Sequence, residues 1–215
     1  MKPGERVRII DGKGSVYTAR LLEIDGTRLS SEARILTHES YPVVSPRLTL
    51  FQALPKNDKM ELILQKTAEL GVTEIVPLQS AYALQKPSQN RYERWHRVLT
   101  AATKQSERAW LPELCATETF ETALTQLDSF SVCLFFSPHR DDRSEVMHVR
   151  TVLRGIPPPD AIALFIGPEG GFSDQEVAAA IENGCRHVTL GANILRTETA
   201  AIVAVAIAAY EYQIS

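Results

Sequence analysis

Ile166-Gly167-Pro168-Glu169-Gly170-Gly171-Phe172-Ser173 and Leu190-Gly191-Ala192-Asn193-Ile194-Leu195-Arg196-Thr197-Glu198-Thr199-Ala200 each follow an apolar run and each lead into a helical pattern. A strand, a glycine loop and a helix in that order belong to a parallel sheet, whose ligand crevice lies outside the carboxyl ends of its strands. Two such loops at adjacent strand ends would converge on one small molecule. The first loop has neither the Lys-Ser/Thr ending of a nucleotide P-loop nor the G-x-G-x-x-G spacing of a dinucleotide fold, so a phosphate cradle is not expected. Gly170 and Gly171 would let backbone amides approach a ligand, and they would equally make a tight strand-to-helix turn.

Outward from these loops, the chain repeats the same grammar. Leu48 to Leu54, Ile75 to Leu78, Val132 to Phe136, Ala161 to Ile166 and His187 to Leu190 are unbroken apolar or β-branched runs, as parallel strands covered on both faces require. A helix is expected from an Asp58 cap to a Gly71 stop, and Ser173-Asp174-Gln175-Glu176 reads as a capping box for a second helix closed by Gly184. Pro157-Pro158-Pro159 is a stiff lead-in to the Ala161 strand. Upstream the pattern differs. Val7 to Ile10 and Val16 to Leu22 alternate around an Asp11-Gly12-Lys13-Gly14 turn, which predicts a small β module, and Pro42 and Pro46 bracket a linker.

Composition narrows the classes. The chain has 215 residues and a formal net charge of −3, so nucleic-acid binding would need a local basic patch. Three scattered cysteines, Cys115, Cys133 and Cys185, form no C-x-x-C pair, which argues against a disulfide framework or a zinc site and fits a reducing cytoplasm. The apolar run from Ala200 to Tyr210 is well short of the roughly 20 residues of a membrane span. His38, His96, His139, His148 and His187 show no metal-ligand spacing, and no metal is expected.

Three polar features carry chemistry. Thr197 is the expected N-cap of the last helix, and Glu198 complements its dipole. Arg196 fits that role poorly, because a cation at a helix N-terminus is disfavoured unless an anion is near; an anionic substrate, Glu169 or Glu198 is expected beside it. Between Arg91 and Ala109 a helical wheel gathers Arg94, Arg97, Lys104 and Arg108 on one side. Residues 86–110 hold six lysines and arginines against two acids, a pattern that fits a solvated face as well as a nucleic-acid contact. The last helix carries Ile202, Val203, Ala206, Ile207 and Tyr210 with almost no charge, which suits core burial or a dimer seam.

Lys56-Asn57-Asp58-Lys59-Met60-Glu61, Gln65-Lys66-Thr67-Ala68-Glu69-Leu70-Gly71-Val72 and the two opening stretches resemble, in that order, the RsmE family of ribosomal RNA methyltransferases. The resemblance implies an α/β fold of the SPOUT class over residues 47–215, a parallel sheet with a C-terminal trefoil knot. It also implies a small PUA-like β-barrel over residues 1–46, shortened by its first strand. The implied activity is transfer of a methyl group from S-adenosylmethionine to N3 of a uridine in 16S ribosomal RNA of the small subunit, by a cytoplasmic homodimer joined through the knot and the last helix.

By resemblance, the cofactor pocket comprises Ile166, Gly167, Pro168, Glu169, Gly170 and Gly171 from one loop and Leu190, Gly191, Ile194 and Leu195 from the other. Arg196, Glu198 and Thr199 would face the reaction, with Arg196 stabilising a uridinate and Glu198 orienting Arg196 or accepting the proton. Arg94, Arg97, Lys104 and Arg108 would contact RNA. The chain differs from the family's pattern at Ser80-Ala81-Tyr82, at Glu107-Arg108-Ala109-Trp110 and at Ala192-Asn193, where arginines are usual. Two other functions stay open: a non-catalytic RNA-binding relative that keeps the knot, and an α/β nucleotide-binding enzyme unrelated to methyl transfer.

Overall fold

In a computed structural model of the chain, the residues described are 2–25, 30–83, 87–137 and 146–214; His139 and Lys86 lie outside them. Three strands, β1 (Arg6–Ile10), β2 (Ser15–Asp25) and β3 (Ser30–Ser40), form an antiparallel sheet in the order β1-β2-β3. Among the described residues this sheet is open, with β1 and β3 as its edges, where a barrel was expected.

The rest of the chain runs β4 (Arg47–Ala53), α1 (Lys59–Glu69), β5 (Glu74–Gln79), α2 (Gln89–Gln105), β6 (Glu113–Leu114), β7 (Glu118–Thr119), α3 (Phe120–Leu124), β8 (Val132–Phe136), β9 (Met147–His148), α4 (Val149–Arg154), β10 (Ala161–Ile166), α5 (Asp174–Glu182), β11 (Arg186–Thr189) and α6 (Thr197–Glu211). Its strands make one parallel sheet in the order β6-β5-β4-β10-β8-β11-β9, with β7 beside β5. Both faces are covered, which is why β4, β8 and β10 read as continuous apolar runs. On one face Leu48, Leu50, Leu134, Ile162 and Leu164 pack with residues of α1, α2, α4 and α6. On the other, Phe51, Phe135 and Phe165 pack with Phe120 of α3, with Phe172 of the loop after β10, and with Ala180 of α5. The Phe51 and Phe165 rings stack at 4.4 Å across the β4–β10 pair.

The sheet order corrects one expectation. β10 and β11, whose loops were to lie at adjacent strand ends, are separated by β8. The order of parallel strands is set by crossovers between distant segments, and nothing in the local pattern of either loop encodes it.

Helix ends follow local chemistry where the signal is local. Asp58 occupies the N-cap position of α1, without a side-chain bond, and Gly71 follows its end at φ 102°. Ser173 and Glu176 form the reciprocal capping box of α5. The Glu176 carboxylate goes further: one oxygen accepts from Ser173 N at 2.8 Å and the other from Ala81 N at 2.9 Å, just after β5. At α6 the N-cap position is taken by Arg196 rather than Thr197, which is the first helical residue.

The loop after α2 joins the two sheets. Gly14 N donates to Ala109 O at 3.0 Å, Leu111 N to Gly12 O at 3.0 Å, and Trp110 Nε1 to Pro42 O at 2.8 Å. Arg8 of β1 pairs with Glu107. Gly14 sits at φ 94° with the Trp110 ring so close that a Cβ would lie 2.6 Å from it. Glu107, Ala109 and Trp110 are thus occupied in holding the first sheet.

Candidate active site

Although β8 parts the two strands, their loops are bound together. The chain leaves β11 and brings α6 back against α1, β4 and β10, and Thr197 at the start of α6 donates its hydroxyl to Gly167 O at 2.5 Å. That hydroxyl accepts from Gln52 Nε2 at 3.1 Å, and Gln52 also donates to Ala53 O at 2.8 Å. Gln52 is fully buried in β4. An amide there is tolerated because it satisfies backbone and hydroxyl groups that the strand ends would otherwise leave without partners.

A second tie is ionic. Lys59, in the first turn of α1, places Nζ 2.8 Å from Glu169 and 3.5 Å from Glu198. Glu169 also accepts from Lys56 N at 3.1 and 3.2 Å. The bond to Glu169 raises the Lys59 pKa. Partial burial works to raise that of Glu169, but Lys59 and the backbone amides outweigh it and the net shift is downward. The cation expected beside these carboxylates was Arg196; the structure puts Lys59 there. Arg196 is exposed and, among the described residues, makes no ion pair.

A cleft of about 550 Å3 opens at the carboxyl ends of β8 and β11. Phe136 and Ser137 form one wall, Val146 and His148 another, and the segment from Val188 to Leu195 with Ala200 of α6 the rest. Of the anticipated pocket residues, Leu190, Gly191, Ile194 and Leu195 line it. Ile166, Gly167, Pro168, Glu169, Gly170 and Gly171 are not in its wall; the buried Ile166 and Pro168 anchor their loop, while Glu169 and Gly170 are exposed. Thr199 is exposed in the first turn of α6, next to Ala200, and Glu198 is half-buried against Lys59.

Sequence reasoning missed Gln52, Lys59, Ser137 and His148. Gln52 had a signal, a lone amide inside an apolar run. Ser137 and His148 had none, because their place depends on β8 and β9 flanking β11. His187, which was given no role, holds Ser137 through a 2.6 Å contact between Nε2 and Oγ. No metal-binding cluster occurs among the described residues, and none of their helices is long and apolar enough to cross a membrane.

The basic face of α2 is smaller than the wheel predicted. Lys104 is exposed, Arg97 reaches only its own helix through Glu93 O at 3.4 Å, and Arg94 pairs with Glu61 at 2.7 Å. Arg108 turns inward, donating to Ala68 O at 2.6 Å and Val72 O at 3.0 Å at the end of α1, and is not part of that face. Glu107, with φ 56°, has already broken the helix before it, so its angle on the wheel has no meaning.

The fold, with its cleft at the carboxyl end of a parallel sheet, matches the model of the RNA methyltransferase domain over residues 43–209. Ribosomal RNA small subunit methyltransferase E of Synechocystis is 34% identical over 96% of this chain, which spans 66% of that protein, and the Mycobacterium bovis enzyme of the same name is 30% identical over 95% of this chain and 78% of its own. Among solved structures, the Neisseria gonorrhoeae methyltransferase E bound to S-adenosyl methionine superposes with a TM-score of 0.82 at 33% identity, covering 98% of this chain and 84% of that one. A Legionella pneumophila protein in complex with the same cofactor gives 0.83 at 30% identity, with the same coverage. The molecule is therefore an RNA methyltransferase-domain protein. Within that class, the chain belongs to the ribosomal RNA small subunit methyltransferase E family.

Proposed function

We propose that this chain transfers the methyl group of S-adenosylmethionine to N3 of a uridine in small-subunit ribosomal RNA, in the cytoplasm. The observation that carries this reading is the cleft walled by residues 188–195, followed by an exposed Arg196 that has no ion pair among the described residues. Its volume lies within the roughly 300–1,000 Å3 of small-molecule sites. The lining also fits the cofactor: Leu190, Ile194 and Leu195 offer apolar surface, and at Gly191, with φ 139°, nothing lies within 4 Å of where a Cβ would stand, so main chain faces the opening bare.

Bound there, the cofactor supplies an electrophilic methyl group on a sulfonium. Leu190, Gly191, Ile194 and Leu195 hold it, and the loop from Ile166 to Gly171 serves the same molecule from the β10 side, a role supported by the Thr197–Gly167 bond. The uridine imide carries a proton at neutral pH, so its nitrogen becomes nucleophilic only as that proton leaves. Arg196, which no carboxylate among the described residues neutralises, stabilises the uridinate. Glu198 is held by Lys59 rather than by Arg196, which leaves it the role of proton acceptor, with Thr199 beside it on the helix turn. Arg94, Arg97 and Lys104 of α2 meet RNA phosphates, and the first sheet is the PUA-like module over residues 1–46 that helps to hold the RNA.

The return of the chain from β11 across β8 to pack α6 on β10 and β4 supports a trefoil knot over the 47–215 domain. The half-buried stripe Ile202, Val203, Ala206 and Ile207 with exposed Tyr210 supports a homodimer through α6. The test is methyl transfer from labelled cofactor to small subunits lacking the modification, with the product nucleoside identified. Labelled N3-methyluridine is expected. Cofactor binding without transfer would instead identify an RNA-binding relative, and no cofactor binding would overturn the reading.

A further inference from the structure

The first sheet carries a charge arrangement that its own folding does not explain. Arg6 of β1 stands opposite Arg20 of β2, and Arg20 stands opposite Arg34 of β3. Directly opposed residues of an antiparallel pair project to the same face with Cβ atoms about 5 Å apart, and like charges so placed are destabilising. All three arginines are exposed. Among the described residues none of them has an ion pair or side-chain hydrogen bond: Glu107 is taken by Arg8, and Glu23 and Glu32, opposed to each other further along the hairpin, reach none of the three. Three guanidinium groups thus form a row across three strands, about 10 Å from end to end at the usual strand spacing.

We propose that the row Arg6-Arg20-Arg34 is a phosphate-backbone contact for the RNA substrate, separate from the cleft and from α2. A single small anion can be forked by one or two guanidinium groups; a line of three repelling cations matches a chain of successive phosphates. The position of the row on the first sheet gives that module a task that the apolar cleft does not perform: it fixes the register of the RNA without reading its bases. The Trp110 and Ala109 joint fixes the sheet relative to the cleft, so a strand held on the row is presented at a set distance from Arg196.

This inference rests on the reading of the chain as an RNA-binding enzyme, and the experiment separates the two. Binding of the full chain to unmethylated, deproteinised small-subunit ribosomal RNA is measured over a range of salt concentrations for the wild type, for the triple variant Arg6→Gln/Arg20→Gln/Arg34→Gln, and for the corresponding triple lysine variant. The dependence of log affinity on log salt should flatten by about 2 to 3 units in the glutamine variant, as loss of three phosphate contacts requires. The lysine variant should keep the wild-type slope. Because the row is a source of repulsion, the glutamine variant should melt no lower than the wild type and should bind S-adenosylmethionine equally well, which excludes misfolding as the cause. An unchanged slope in the glutamine variant, with RNA bound normally, overturns the row's role and leaves the enzyme reading intact; that result would be expected if the row met an acidic protein instead. A wild type that binds neither this RNA nor the unmethylated small subunit overturns both.

Discussion

Thr197 Oγ1 stands 2.5 Å from the carbonyl oxygen of Gly167, joining the first residue of α6 to the loop that follows β10. Strand order alone would leave these two loops apart, on either side of β8. One hydroxyl does what adjacency was expected to do.

Thr197→Val keeps the shape of the side chain and removes that hydroxyl. Thr197 is buried, so Gly167 O loses its donor and Gln52 Nε2 one of its acceptors, at a cost of about 1 to 3 kcal/mol. Thermal melting should fall and the cofactor should bind more weakly, since both loops lose their common anchor. A variant with wild-type melting and wild-type cofactor affinity would show that the loops are held by other means.

Arg196→Ala should abolish methyl transfer and leave cofactor affinity nearly unchanged, because the guanidinium is exposed and bonded to no described residue. Turnover and equilibrium cofactor binding, measured on the same preparation, check this. Substantial residual turnover would remove Arg196 from the reaction.

The Lys59–Glu169 pair predicts a pH window. Glu169 has its pKa lowered from 4.5, so its share of the pairing energy is present above the unfolded value and is lost as pH falls through the depressed folded one. Lys59 has its pKa raised from 10.5, so its share is present below that value and is lost as pH rises through the elevated folded one. Cofactor affinity should therefore be flat between these limits and decline outside them, at low pH first. Lys59→Met should lower affinity in the plateau and remove most of the acid limb attributable to Glu169. An identical pH profile in the variant would mean that the clamp does not support the site.

Tyr210 is 83% exposed at the end of an otherwise apolar stripe of α6. If that stripe is the dimer seam, Tyr210→Glu should shift the molecular mass measured by light scattering from dimer toward monomer, while the fold read by circular dichroism persists. A wild type that is monomeric at working concentration would remove the seam.

What could be read from the sequence was what is written locally or on both faces of a strand. β4, β8 and β10 announced themselves because two-sided burial demands unbroken apolar runs, and Ser173 with Glu176 announced the start of α5 because the capping box is closed within four residues. The wall of the cleft was legible only on one side. Leu190, Gly191, Ile194 and Leu195 lie in one continuous stretch, whereas Phe136, Ser137 and His148 reach the site by the placing of β8 and β9, which no periodicity records. Lys59 was passed over because its partners are more than a hundred residues away, and Arg196 was assigned their charge because it lies two residues from Glu198. Arg108 was assigned to the wrong surface because the wheel was continued past a helix that had ended.

The Glu176 carboxylate, shared between the amide of Ser173 and that of Ala81, couples the segment after β5 to the segment after β10. Replacing it with alanine would strip both amides of their acceptor in one step, so neither stretch can be redesigned alone. Any attempt to graft new specificity onto the Ser80–Tyr82 turn must carry the start of α5 with it as a single transplantable unit.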